Sequence, residues 1–110
     1  MTKKKILVIG HSGGVAKEIF LQFKNFYKLK FLSRKKIDAL KDYKNYCKEI
    51  VKFKPEIVIN CIAITGIKYC ENHIEYAYLI NAELPNLLSK YCYKVNAKFI
   101  HFSTDAVFEG

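Results

Sequence analysis

The 110-residue sequence predicts an α/β fold in which a parallel sheet carries helices on both faces. Short apolar runs alternate with longer amphipathic stretches along the chain, and a glycine-rich segment joins the first run to the first stretch. Repeated β–α units make successive strands parallel. We therefore expect one domain over residues 1–110, with strand order 3-2-1-4, truncated relative to a complete doubly wound sheet.

The first three elements follow from apolar patterns. KKILVIG is a run of β-formers that predicts a strand over Lys4–Gly10. The amphipathic stretch after it predicts a helix over Gly14–Asn25, and the second strand covers Lys28–Ser33. The apolar residues expected on one face of this helix are Val15, Ile19, Phe20 and Phe23.

The later elements continue the alternation. A helix over Tyr43–Phe53 ends shortly before a proline, as helices do. The run EIVINCI, within Glu56–Ile62, is almost continuously apolar, as expected of a parallel strand covered on both faces. A helix over Ile74–Lys94 contains Pro85, which predicts a kink or break. The last strand covers Lys98–Ser103, and the strand order puts the ligand crevice between strands one and four.

The glycine-rich segment has the spacing of a dinucleotide-binding turn, G-x-x-G-x-x-A. Gly10 lets the strand turn without a Cβ, Gly13 lets the backbone approach a pyrophosphate, and Ala16 lets the helix pack closely. Gly14 and Val15 open the helix, whose N–H groups attract phosphate. The predicted fold is therefore Rossmann-like. The alternative is a glycine-rich turn that binds no nucleotide.

The residues after the second strand indicate which cofactor is bound. Ser33 and Arg34 offer a hydroxyl and a guanidinium where an acidic residue would bind the ribose hydroxyls of NAD. They suit a 2′-phosphate, so we predict NADP as the cofactor, and NAD as the second choice. The alternative is that Arg34 is only one more cation on the surface. Asp38 is placed either to reach adenine or to cap a helix.

Small and polar residues follow the third and fourth strands. Ala63 leaves room for the nicotinamide ribose, and Thr65 adds a hydroxyl. Ser103, Thr104 and Asp105 form a polar cluster at the mouth of a central strand. We favour a functional role over helix capping there, because ligands bind at the carboxyl ends of strands.

Charge and cysteine content exclude several classes of protein. The net charge is +9, but the lysines are spread along the chain and Arg34 is the single arginine, which predicts a solvated surface and not nucleic-acid binding. No apolar run approaches the roughly 20 residues of a membrane helix. No C-x-x-C or zinc spacing occurs, which predicts no metal site and reduced thiols in a cytoplasmic protein. The four cysteines are Cys47, Cys61, Cys70 and Cys92.

Four pieces follow in order, GHSGGVA, KPEIVINCIAITGIKYCE, YLINAELPNLL and HFSTDAVFEG. Together the sequence resembles the N-terminal half of the dTDP-4-dehydrorhamnose reductase family, extended short-chain dehydrogenase/reductases that act on nucleotide sugars. The most specific piece, residues 103–110, is similar to the family's STDYVFDG. Ala106 replaces its tyrosine and Lys68 replaces an acidic residue, which suggests a divergent branch.

The resemblance implies roles for particular residues. Thr104 would lie beside the reacting sugar carbon as an auxiliary catalytic group, and Asp105 would contact the substrate. The implied cofactor contacts are Gly13, Gly14 and Val15 at the pyrophosphate, Asp38 and Ala39 at adenine, Ala63, Ile64 and Thr65 at the ribose and nicotinamide, and Phe102 nearby.

The family's Tyr-x-x-x-Lys motif, which protonates the substrate ketone, follows its STDYVFDG motif, and no tyrosine here has an equivalent setting. We expect the cofactor-binding part of a nucleotide-sugar reductase or epimerase, without the catalytic pair or the substrate lobe and inactive alone. The alternatives are a non-catalytic nucleotide-binding or regulatory module and a cofactor-free structural domain. The open edge of the sheet at the fourth strand predicts self-association, as a homodimer or as an aggregate.

Overall fold

The computed structural model describes residues 3–10, 14–32, 39–62 and 71–102. The four strands are β1 (Lys4–Ile9), β2 (Tyr27–Leu32), β3 (Ile57–Asn60) and β4 (Lys98–His101). The α-helices are α1 (Gly14–Phe23), α2 (Ala39–Phe53), α3 (Ile74–Tyr78) and α4 (Leu84–Lys94). A π-helical turn, Leu79–Glu83, joins α3 to α4.

All three strand pairs are parallel, which confirms the predicted fold class, but the strand order is β2-β1-β3-β4. The predicted order 3-2-1-4 is therefore wrong. Strand β3 does not extend the sheet beyond β2. Instead the chain crosses back over β1 through α2, and β3 pairs with the free side of β1, from Ile6↔Ile57 to Ile9↔Asn60.

The physical reason lies in the burial of each strand. Strand β3 carries no charge and three of its four residues are buried, so it needs neighbours on both sides. Strand β2 contains Lys28 and Lys30 and has no fully buried residue, as suits an edge. The lysines of β2 and the uncharged run of β3 are visible in the sequence, but the burial that places β3 inside the sheet is seen only in the structure.

Two apolar clusters cover the faces of the sheet, which confirms helices on both. Between the sheet and the helices α2 and α4 lies the larger cluster, which includes Leu7, Ile9, Tyr46, Ile50, Val58, Ile80, Leu84, Leu88 and Cys92. Between the sheet and α1 lies the smaller cluster, Ile6, Val8, Ala16, Ile19 and Ile59. Of the four α1 residues expected on one apolar face, only Ile19 is buried; Val15, Phe20 and Phe23 stay largely exposed.

Several boundaries differ from the predicted ones. Helix α2 begins four residues early, at Ala39, because its first residues are good helix formers. Helix α1 ends at Phe23, where a turn begins. The strands end earlier than expected, β1 at Ile9, β3 at Asn60 and β4 at His101.

The break predicted at Pro85 takes the form of the π-helical turn just before it. Pro85 lies in the first turn of α4 and cannot donate a hydrogen bond to the preceding turn. Leu79 and Leu84 keep right-handed helical dihedrals, so the chain runs on as one irregular helix. Among the described residues, no helix is both long enough and apolar enough to cross a membrane.

Candidate functional site

The crevice of this sheet lies where β1 and β3 end side by side. Ile9 is in register with Asn60, and α1 and α2 pack on opposite faces of the sheet around this point. Ligands of doubly wound sheets bind where successive crossovers take opposite faces. The predicted crevice between strands one and four is therefore corrected to one between β1 and β3, because β3 separates β1 from β4.

Gly10, directly after β1, is at a position that only glycine fits. Its φ is +81°, a left-handed conformation that other residues rarely adopt. A Cβ there would lie 2.8 Å from Cγ1 of Ile62 and 3.2 Å from its backbone nitrogen. The Gly10 N–H donates to the carbonyl of Leu32, so the turn is held between the ends of β2 and β3. The expected need for a residue without a Cβ at the end of β1 is confirmed.

The amino end of α1 is suited to an anion. The helix begins at Gly14, and no acidic residue lies in its first turn. The first N–H groups of a helix have no partner within it and attract negative charge. Ala16 is buried in the smaller cluster, which brings α1 close to the sheet as the turn spacing predicts. The turn, the helix end and the adjacent β3 therefore fit a dinucleotide's pyrophosphate.

A buried amide joins the ends of β3 and β4. Asn60 is completely buried at the end of β3, and its Oδ1 accepts a hydrogen bond from the Ile62 N–H at 3.2 Å. Its Nδ2 lies 3.0 Å from Nδ1 of His101 on β4. The backbone extends the ladder, because Cys61 N–H donates to the carbonyl of Ile9 and Phe102 N–H donates to that of Asn60.

The bonding of Asn60 determines the tautomer of His101. Since Oδ1 of Asn60 is engaged by Ile62, the amide nitrogen faces His101, whose Nδ1 must accept. The ring proton then lies on Nε2. Burial lowers the pKa of His101 below its usual value, which favours the same neutral ring. The imidazole also stacks on Phe99 at 6.4 Å between ring centres.

Asn60 and His101 form a pair that was not among the predicted site residues. The available signal was a single amide in the apolar run of β3, matched by a histidine at the corresponding point of the next strand. A buried amide needs partners for its oxygen and its nitrogen. Their pairing depends on the register of β3 against β4, which places Asn60 opposite His101.

The structure describes five of the predicted site residues. Gly10 directly follows β1, Gly14 is the first residue of α1, Val15 is exposed in the first turn of α1, and Ala39 begins α2. Phe102 follows β4, half-exposed, beside Asn60. The other predicted residues lie outside the described residues: Gly13, Ser33, Arg34, Asp38, Ala63, Ile64, Thr65, Thr104 and Asp105.

No group of three or more potential metal ligands is gathered anywhere in residues 3–10, 14–32, 39–62 and 71–102. The fold and the site together define a class. A parallel sheet with a glycine turn between its first strand and first helix, at the point where crossovers change face, is a Rossmann-like α/β domain.

Comparison with known proteins identifies the family. Residues 4–110 match the family described as the RmlD substrate binding domain, and the chain belongs to it. It is 31% identical over 107 residues to the spore coat polysaccharide biosynthesis protein SpsK of Bacillus subtilis, covering 96% of this chain and 38% of that protein. It is 31% identical over 108 residues to dTDP-4-dehydrorhamnose reductase of Escherichia coli, covering 96% of this chain and 36% of that protein.

Solved structures support the same family assignment. A dTDP-4-dehydrorhamnose reductase from Bacillus anthracis in complex with NADP has a TM-score of 0.84 and 25% identity, covering 100% of this chain and 39% of that one. A dTDP-4-dehydrorhamnose reductase ortholog from Clostridium acetobutylicum has a TM-score of 0.82 and 34% identity, covering 96% of this chain and 38% of that one. The resemblance identified in the sequence is confirmed, and the chain spans less than two fifths of these relatives.

Proposed function

We propose that this chain is the NADP-binding part of a nucleotide-sugar reductase of the dTDP-4-dehydrorhamnose reductase type. The observation that carries the proposal is the turn at Gly10, which directs the chain from β1 to the amino end of α1 beside the end of β3. The Bacillus anthracis relative, 25% identical, was solved with NADP and supports the choice of cofactor.

The cofactor would lie across the carboxyl ends of β1 and β3. Gly13, Gly14 and Val15 would hold its pyrophosphate at the amino end of α1, and NADPH, when bound, supplies hydride. At the other end of the cofactor, Ser33 and Arg34 would take the 2′-phosphate. The adenine would lie against Asp38 and Ala39, where α2 begins.

Asn60 supports the nicotinamide end of this site. It binds the N–H of Ile62, the last described residue before Ala63, Ile64 and Thr65. Those three residues would line the ribose and nicotinamide. Asn60 touches neither cofactor nor substrate in this proposal. It is a positioning residue that holds the end of β3 against β4.

The substrate would meet the cofactor beyond β4. The Phe102 N–H bonds to the carbonyl of Asn60, so the chain leaves β4 next to the end of β3. Thr104 would donate a hydrogen bond to the ketone oxygen of the sugar, and Asp105 would bind a sugar hydroxyl. The proton itself would come from the Tyr-x-x-x-Lys pair typical of the family. We therefore expect residues 1–110 alone to bind cofactor without turnover.

Titration calorimetry with NADPH and NADH tests the cofactor assignment. We expect NADPH to bind more tightly, and Arg34→Ala to remove that preference by weakening NADPH alone. Lys28→Ala is the matched control, because Lys28 is an exposed cation in β2, the strand that precedes Arg34 in the sequence. If neither NADPH nor NADH bound at millimolar concentration, or if both variants lost NADPH affinity equally, the proposal would be contradicted.

Turnover distinguishes the reductase from its alternative. The full-length protein is supplied with NADPH and a dTDP-4-keto sugar, and oxidation of NADPH is followed by absorbance. Reduction of the sugar at an enzyme-like rate supports the reductase. Tight NADPH binding with no reduction would instead support a non-catalytic nucleotide-binding or regulatory module.

A further inference from the structure

A shallow groove runs between α2 and α4, and we name it the α2–α4 groove. It consists of two adjoining depressions of about 350 and 310 Å³ that share Val51. Its apolar floor is formed chiefly by Cys47, Val51, Tyr91 and Val95. Its cationic rim is formed by Lys48, Lys52 and Lys54.

The groove lies far from the cofactor site. Lys54 follows the carboxyl end of α2, just before β3 begins, and Val95 follows the carboxyl end of α4, just before β4 begins. The groove therefore extends towards the edge of the sheet where the strands start. Gly10 and Asn60 lie at the opposite edge, where strands end. A function of the groove is independent of the proposed reductase activity.

Apolar side chains on the floor remain accessible. Val51 is 54% exposed and Val95 is 40% exposed, while Cys47 and Tyr91 are half-buried between the helices. A contiguous apolar strip rimmed by polar groups is typical of an interaction surface. Both depressions are open and at the lower end of the range for small-molecule pockets, about 300–1,000 Å³, so a macromolecule fits better.

The rim is uniformly positive. Lys44, Lys48 and Lys52 recur every four residues, which aligns them along the exposed side of α2. No acidic side chain lines either depression within the described residues. Glu49, on the same helix as the rim lysines, is bound to Lys30 of β2 at 2.6 Å, and Lys52 adds only a weaker attraction.

We propose that the α2–α4 groove binds an acidic amphipathic helix of a partner protein. Apolar side chains of that helix, at i, i+3 and i+4, would fill the floor around Val51. Its Asp and Glu residues would meet Lys48 and Lys52 on the rim. A groove between two helices fits a single helix better than a flat bilayer. The rim has lysines without the arginine that nucleic-acid recognition favours.

Fluorescence anisotropy tests this with the full-length protein and a labelled peptide of about 18 residues, or five helical turns. The peptide carries leucines at i, i+3, i+4 and i+7 and glutamates elsewhere. We expect saturable binding that Lys48→Glu/Lys52→Glu weakens about tenfold or more. The matched control is Lys17→Glu/Lys24→Glu, which makes the same charge change at exposed positions in and just after α1. It should change affinity by less than about twofold.

A scrambled peptide of the same composition separates shape from charge. We expect it to bind several-fold more weakly, because its leucines no longer form one stripe. Equal binding of both peptides, or equal loss in both double variants, would overturn the proposal. Tighter binding of anionic vesicles or an oligonucleotide, with the same dependence on Lys48 and Lys52, would also overturn it.

Amide NMR shifts keep the proposal testable if the charge-reversed protein fails to fold. Adding the acidic peptide to the unmodified protein should shift resonances of α2 and α4 around Val51 and Val95. Shifts concentrated on α1, or spread evenly over the lysines, would show that the groove is not the binding site.

Discussion

The two central strands and the two edge strands of this sheet differ in burial and in role. In β1 the last four residues are buried, and in β3 the last three are. Strands β2 and β4 have no fully buried residue, and lysines interrupt β2. The difference shows that the core and the candidate site depend on the same pair of strands, because Gly10 directly follows the buried segment of β1 and Asn60 is the last buried residue of β3.

This arrangement places the site on the most constrained backbone of the sheet. The peptide N–H of Gly10 is bound to β2, that of Cys61 to β1 and that of Phe102 to β3. A cofactor site needs groups held within a fraction of an ångström, which packed strands supply better than loops. The edge strands then act as supports: β2 receives Gly10, and β4 supplies His101 to Asn60.

The same substitution made in a central and an edge strand should give the largest contrast. Leu7→Ala in β1 removes a fully buried side chain, so we expect a loss of about 2–5 kcal/mol in the free energy of unfolding. Leu29→Ala in β2 removes a half-buried one and should cost about 1–2 kcal/mol. Urea unfolding measures both. Equal losses would show that the central strand β1 and the edge strand β2 contribute equally to stability at these positions.

Gly10→Ala tests the junction between the central strands. The positive φ and the approach to Ile62 should together cost about 1–3 kcal/mol of stability, and the displaced turn should weaken NADPH binding. Thermal unfolding and calorimetry measure the two effects. Ile62→Ala in the same protein removes the nearest atom, so the added cost of Gly10→Ala should shrink. An unchanged cost would mean that Ile62 does not confine Gly10.

Asn60→Leu tests the hydrogen bonds that join the central strand β3 to the edge strand β4. It would leave the N–H of Ile62 and Nδ1 of His101 without their partner, so we expect a loss of about 1–3 kcal/mol. His101→Gln is the control, because glutamine can still accept a hydrogen bond from Asn60, and it should cost less. The midpoints of urea unfolding measure the losses in the two variants. A larger loss for His101→Gln than for Asn60→Leu would show that the imidazole contributes more to the free energy of unfolding than the Asn60 amide does.

The pH dependence of stability should reveal the neutral state of His101. Its pKa is lowered in the folded protein, so between that lowered value and about 6.5 the unfolded chain binds more protons. Stability should therefore fall as pH drops through this window and level off below it. His101→Gln should flatten this part of the curve. Unfolding midpoints at pH 5 and 7.5 measure the effect, and an unchanged slope in the variant would contradict it.

The smallest effect is expected at the outer edge. Glu49 and Lys30 form a partly exposed ion pair at 2.6 Å, and such pairs contribute about 0.2–1 kcal/mol. Glu49→Gln should cost no more than this. Lys30 lowers the pKa of the Glu49 carboxyl, so the contribution is present above about pH 4.5 and is lost as pH falls further. Unfolding at low and high salt measures it, and a salt-independent loss would argue against an ion pair.

Local pattern predicted most of the elements because helices and parallel strands leave short-range signatures. The apolar runs of β1 and β3 and the glycine turn after β1 were identified from neighbouring residues alone, and the break before Pro85 followed from its missing N–H. The apolar face of α1 was assigned less well. Val15 and Phe20 are apolar but remain largely exposed, and the smaller Ala16 makes the close contact.

The α/β class, the glycine after β1 and the family could be predicted from the sequence, because each depends on short motifs of neighbouring residues. The position of β3 between β1 and β4, and the contact of Asn60 with His101, 41 positions away, became visible in the folded chain. The physical reason is that strand neighbours are chosen by the burial of whole faces. Helix α2 crosses back over β1 because the uncharged β3 is more stable inside the sheet than at its edge.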